Sequence, residues 1–199
     1  MSGFVQARRS AELRTRLMHR MLVARRFAEL GAAVPMDSCR AKFGSGEEAV
    51  AAGTWAALGP ADTVIRHPGR VNVPPEAGVM ICLADVRESD ALQRWLDSAR
   101  RRDRHALAAR LTISPSGDAV DALDVEAVFA AMRLHLDELH AGGPPRLVEL
   151  RLGDADPITT LAQRMFVQRQ LDENALRAID ADTRAYVRAV LASGRGGRR

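Results

Sequence analysis

Val79 to Leu83 reads Val-Met-Ile-Cys-Leu, an unbroken apolar run of the kind found in a strand buried on both faces, and this run constrains the fold more than any other segment. A strand of that type needs parallel neighbours and helices on either side. Thr63 to Ile65 predicts a shorter strand before it, with Pro68 to Gly78 as a Pro/Gly-punctuated connection. Ala106 to Leu111 predicts a strand after it, although Arg110 and the alanines are poor strand formers, and Leu147 to Leu152 predicts a further one. Helical periodicity fills the gaps. Leu13, Leu17, Met21, Ala24 and Phe27 recur at three- and four-residue steps over Ala11 to Leu30. Ser45 and Glu48 have capping-box spacing ahead of Ala49 to Leu58, whose small residues Ala49, Ala52, Gly53 and Ala56 allow another element to approach closely. Ser89 precedes a helix through Arg100, Asp124 is placed to cap Val125 to His140, Asp156 and Pro157 open a helix to about Gln170, and Asp172 to Leu191 forms the last. Strands alternating with helices of this length predict an α/β fold, a parallel sheet flanked by helices with a helical C-terminal part.

With 199 residues and 47% hydrophobic side chains, the chain has room for one core, so a single domain over 1–192 is expected, followed by a disordered basic tail over 193–199. The net charge of +4 is concentrated in Arg8, Arg9, Arg100 to Arg104 and the terminal arginines. Interleaved carboxylates and only 4% aromatic residues argue for a solvated arginine-rich surface and against nucleic-acid binding. Cys39 and Cys82 lack metal-ligand spacing, which predicts reduced thiols. No uncharged stretch is long enough to cross a bilayer, so a cytoplasmic protein without a membrane partner is expected.

Three stretches, in order, resemble the alpha subunit of the thiamine-diphosphate-dependent 2-oxo acid dehydrogenase first component, the family of the pyruvate, branched-chain and acetoin dehydrogenases. LMHRMLVARRFAEL from Leu17 and GSGEEAVAAGTWAALGPADTVI from Gly44 are similar to the family's first helix and its Gly-Gln-Glu-Ala-Val helix with the following Pro-Gly-Asp strand. VDALDVEAVFAAMRLHLDELHAGGPPRLVELR, Val120 to Arg151, resembles the Val-Asp-Gly-Asn-Asp helix and next strand, with Ala122 and Leu123 replacing Gly and Asn. DPITTLAQRMFVQRQLDENALRAIDADTRAYVRAV is similar to the C-terminal Asp-Pro helix, turn and long final helix. Together these stretches cover about three quarters of the chain. The resemblance implies a reduced thiamine-diphosphate-binding fold.

It also implies where a cofactor site would lie. The family holds thiamine diphosphate through Gly-Asp-Gly at a buried strand end and an Asn-Asn pair roughly thirty residues on, whose oxygens coordinate a magnesium ion on the diphosphate. Here Ala84, Asp85 and Val86 stand in the Gly-Asp-Gly place, so Asp85 is the candidate metal ligand and Ala84, Asp85, Val86 and Arg70 are the candidate cofactor-binding residues. Val86 replaces a glycine with a β-branched residue that resists positive φ and crowds a phosphate. The Asn-Asn place reads Leu111-Thr112-Ile113-Ser114, leaving Thr112 or Ser114 as substitute oxygens. The family's histidine before Gly-Gln-Glu-Ala aligns with Lys42, its glutamine with Glu47, and its cofactor loop with RHPGRVN, which keeps Arg70 or His67. The simpler role of Asp85 is a helix-capping or strand-end carboxylate, and that of His67 is a solvated loop residue. His19, His105, His135 and His140 lie on or beside helices without acids at triad or metal spacing, and no residue is expected to be catalytic.

The expected function is accordingly an alpha-like subunit whose own thiamine diphosphate and magnesium motif is eroded. It would pack against a beta-subunit-like protein in a heterotetramer or homo-oligomer and support a site that in this family is shared across the alpha-beta interface. Alternatives are an active subunit binding thiamine diphosphate and magnesium through Asp85 for 2-oxo acid decarboxylation or carboligation, and a stand-alone interaction or regulatory protein.

Overall fold

The computed structural model describes residues 2–36, 39–67, 78–114 and 117–195. A long helix α1 (Ser2–Glu29) leads into a small antiparallel hairpin, β1 (Val34–Pro35) and β2 (Arg40–Ala41). Next come α2 (Glu48–Ala57), β3 (Thr63–Arg66), β4 (Met80–Asp85), α3 (Ser89–Arg101) and β5 (Ala106–Thr112). The chain then forms β6 (Val120–Asp121), α4 (Val125–His140), β7 (Arg146–Arg151), α5 (Pro157–Val167) and α6 (Glu173–Arg195). Residues 68–77, Arg70 among them, lie outside the described residues, as do residues 196–199 of the expected tail, whose Ser193 is already helical.

The sheet is parallel and five-stranded, in the order β3-β4-β5-β7-β6. The apolar run of β4 is buried throughout, as its composition requires. Alternate side chains serve opposite layers: Met80, Cys82 and Ala84 meet Leu92, Trp95 and Leu96 of α3, whereas Ile81 and Leu83 join the core formed with α2 and α4. β5 is the central strand despite its alanines. Burial on both faces outweighs its weak propensity, and Ala106, Ala108 and Ala109 let the covering helices come close. A further layer, α1 with α5 and α6, packs on α2 through Leu17, Met18, Met21, Leu161 and Met165.

α2 is buried on nearly every side, which is why its sequence is apolar all round. The close approach anticipated at its small residues is made by α4 of the same chain. A Cβ on Gly53 would lie 2.7 Å from Val128 Cγ1 and 2.9 Å from the Phe129 amide nitrogen, so the position is an internal packing contact and not free to meet a separate subunit. The anticipated capping box of this helix is also corrected. Glu47 occupies the N-cap without a side-chain cap bond, because Glu48 turns inward, 1% exposed, to accept from Arg25 Nε at 3.1 Å. Glu47 instead accepts from the Gly44 amide (2.9 Å) and from Arg66 (3.2 Å).

Candidate functional site

In parallel α/β sheets ligands bind outside the carboxyl ends of the strands. Here that edge brings together His67 after β3, Asp85 at the end of β4, Thr112 at the end of β5, and Arg151 and Asp121 at the ends of β7 and β6. The strand register sets Asp85 opposite Leu111, so Asp85 and Thr112 terminate neighbouring strands.

Asp85 has extended backbone angles, φ −69° and ψ 156°, and begins a single 3-10 turn, Val86 to Glu88, that runs into α3. Its carboxylate accepts from the Arg87 amide at 3.0 Å, while Glu88 accepts from the Asp85 amide at 3.3 Å. The reciprocal pair is a capping box, written in the sequence as Asp-Val-Arg-Glu, a spacing that could have been recognised before the structure. Arg87 Nε lies 3.7 Å from the same aspartate oxygen. Ala84 is buried against α3, and Val86 takes a helical conformation with its side chain 45% exposed, so it meets solvent rather than filling a cradle. Arg70 lies outside the described residues.

The surrounding charges are matched to one another. His67 Nδ1 is 2.8 Å from Glu88 Oε1, so this loop histidine is paired and not simply solvated. Arg66 pairs with Glu47 and passes over the Phe43 ring, Arg110 of β5 pairs with Glu149 directly opposite on β7, and Arg151 approaches Asp121 at 3.9 Å. Thr112 is buried, with its hydroxyl accepting from the Ser114 amide at 3.1 Å. Beneath Asp85, burial and then the negative charge of Glu88 push the Cys82 thiol up to about 12, with Arg66 opposing.

For a magnesium diphosphate this donor set is sparse. Magnesium takes an octahedron of oxygens, several of them from water and phosphate; the strand ends offer it the Asp85 carboxylate, one oxygen of which already accepts from an amide, and the Thr112 hydroxyl, which accepts from another, and among the described residues no group of three or more histidine, cysteine, aspartate or glutamate side chains could hold a metal ion. An open groove of about 870 Å³ lies elsewhere, between α1 and α6.

Two further charge clusters fix helix ends. Asp124 caps α4 by accepting from Glu126 and Ala127, and Arg164 of α5 donates to both Asp124 (2.8 Å) and Glu126 (2.6 Å). Burial opposes ionisation of Asp124, but the Arg164 hydrogen bonds and the two amides outweigh it and hold the carboxyl below its ordinary range. His140 Nε2 stands 2.8 Å from Asp62, whose carboxylate also accepts from the Gly59 and Val79 amides. These residues are far apart in sequence, so the pair was invisible there. It lies at the amino edge of the sheet, opposite the edge where such folds bind ligands. The chain matches no family model and no curated protein.

Proposed function

We propose that the chain is an alpha-like, mainly structural subunit of a thiamine-diphosphate-dependent 2-oxo acid dehydrogenase-type assembly, packing against a beta-subunit-like protein in the cytoplasm. Its sequence resemblance motivates the family. The observation that carries the structural role is the commitment of the Asp85 carboxylate to its own turn, ringed by paired charges, at the place where the cofactor would be held. No helix among the described residues is long and apolar enough to cross a membrane. A second reading, in which the chain itself binds thiamine diphosphate and magnesium, draws on Asp85 and Thr112 ending adjacent strands.

Titration calorimetry with thiamine diphosphate and magnesium separates the two. The structural reading expects no binding heat from the isolated chain and binding only when a beta-subunit-like protein is present. Micromolar binding by the isolated chain, abolished by Asp85→Ala, would replace it with the second reading. Failure of beta-subunit-like proteins to co-sediment with the chain would remove both heteromeric assembly and the structural role.

A further inference from the structure

The groove between α1 and α6 is a feature that neither the sheet chemistry nor the reading above uses. Its floor is apolar: Leu30, 57% exposed, together with Val187 and Leu191. Its rim is cationic. Four arginines, Arg26, Arg177, Arg184 and Arg188, line it against only two carboxylates, Glu29 and Asp180. Arg26 and Arg184 both converge on Asp180, which is thereby neutralised inside the groove. Arg177 pairs with Glu173 in a highly exposed i,i+4 contact of the sort that contributes little, and the Arg188 guanidinium donates to the Arg184 carbonyl rather than to a carboxylate. The lining positions on α6 run from Arg177 to Leu191 at steps of three and four, so the groove follows about four turns of one helix face, about 20 Å.

We infer that this groove is a docking site for an acidic amphipathic helix of another protein. The apolar strip accepts a stripe of leucine-like side chains, and the flanking arginines accept carboxylates on either side of that stripe. Charge excludes the nearest competitor within the chain, since the terminal residues Arg195, Arg198 and Arg199 are themselves basic. A second copy is a poor occupant for the same reason. The exposed faces of α3 and α4 mix their carboxylates with Arg94, Arg100 and Arg133. The apolar floor argues against a nucleic-acid backbone, which would need donors and not leucines along the groove. The inference concerns the helical layer alone and is independent of whether a cofactor binds at the sheet.

The test uses the full chain and fluorescein-labelled synthetic peptides about as long as the groove: one with leucines at i, i+3, i+4 and i+7 and glutamates elsewhere, one with the glutamates replaced by lysines, and one with the acidic sequence scrambled. Fluorescence anisotropy should give saturable binding of the acidic amphipathic peptide alone, weakened at least ~10-fold by the double variant Arg177→Glu/Arg188→Glu and by raised salt. Both arginines are exposed, so circular dichroism melting of the variant should match the parent. Leu30→Ser should weaken the same peptide without altering the melt. Absence of binding, equal binding of the scrambled peptide, or tighter binding of a single-stranded oligonucleotide of similar length would each overturn the proposal.

Discussion

Gly53 is a position where a single methyl group decides the outcome between opposing effects. Replacing glycine by alanine inside a helix is worth about 1 kcal/mol of propensity, but the new Cβ would press on Val128 and on the backbone of α4, and overpacking of that kind costs roughly 1–3 kcal/mol. Because backbone cannot rotate away, the clash prevails. Gly53→Ala should lose about 1 kcal/mol in urea denaturation, and Gly53→Glu, which adds a buried charge, should yield no folded protein; a stable, soluble Gly53→Glu chain would place α2 elsewhere. The same scale explains what the sequence revealed of the candidate site. Ala84 and Asp85 end a strand and Val86 opens the turn after it, because an apolar run followed by charge marks a strand terminus. The capping role weighed for Asp85 is the one it takes; its partner Glu88 was not singled out, although aspartate followed three residues later by glutamate has capping-box spacing.

Arg25 joins elements rather than residues. It reaches from α1 to buried Glu48 on α2 and to Asp156 at the start of α5. Glu48 is buried while Arg25 is partly exposed, so removing the arginine strands the carboxylate and Arg25→Met should cost about 2 kcal/mol, while the double variant Arg25→Met/Glu48→Met should recover much of that loss in a double-mutant cycle. Full additivity of the single changes would show that the contact contributes nothing. Asp156 adds a pH dependence. The Arg25 hydrogen bond, assisted by Thr159 and the Ile158 amide, holds its carboxyl down to about 2 from an ordinary 3.8. Stability from this group is therefore complete above about 4 and is lost as pH falls toward about 2, and it is modest because solvent reaches the pair. Urea midpoints should decline across that interval in the parent and less steeply in Asp156→Asn. An equal slope in both chains would remove Asp156 from the acid transition. Asp156-Pro157 and Asp124 were legible as helix starts because N-capping is local chemistry, and α4 spans the residues its periodicity predicted. The hairpin of β1 and β2 and the strand β6 were not, since two-residue strands carry no period and exist only because distant backbone pairs with them.

Across the whole molecule, fold class was readable from alternation, but strand order was not: β6 follows β5 in sequence yet lies outside β7, and no local pattern encodes such a placement. Cys82, fully buried between β4 and α3 with its thiol pushed up to about 12, reports on the integrity of the entire sheet. Iodoacetamide at neutral pH should modify the half-buried Cys39 in the native protein and Cys82 only at the rate of global unfolding; rapid modification of both would mean that the α3 face opens on its own. The brevity of β6 has one more consequence. Among the described residues it pairs with β7 at Leu150 and Arg151 alone, and no described strand neighbours the outer flank of Arg146 to Glu149. An open ladder invites a foreign strand to add itself and begin a fibril, and this one is guarded by Pro144 and Pro145 just before it and by Arg146, Glu149 and Arg151 along it, so that stacking a second molecule in register there would set like charges against each other.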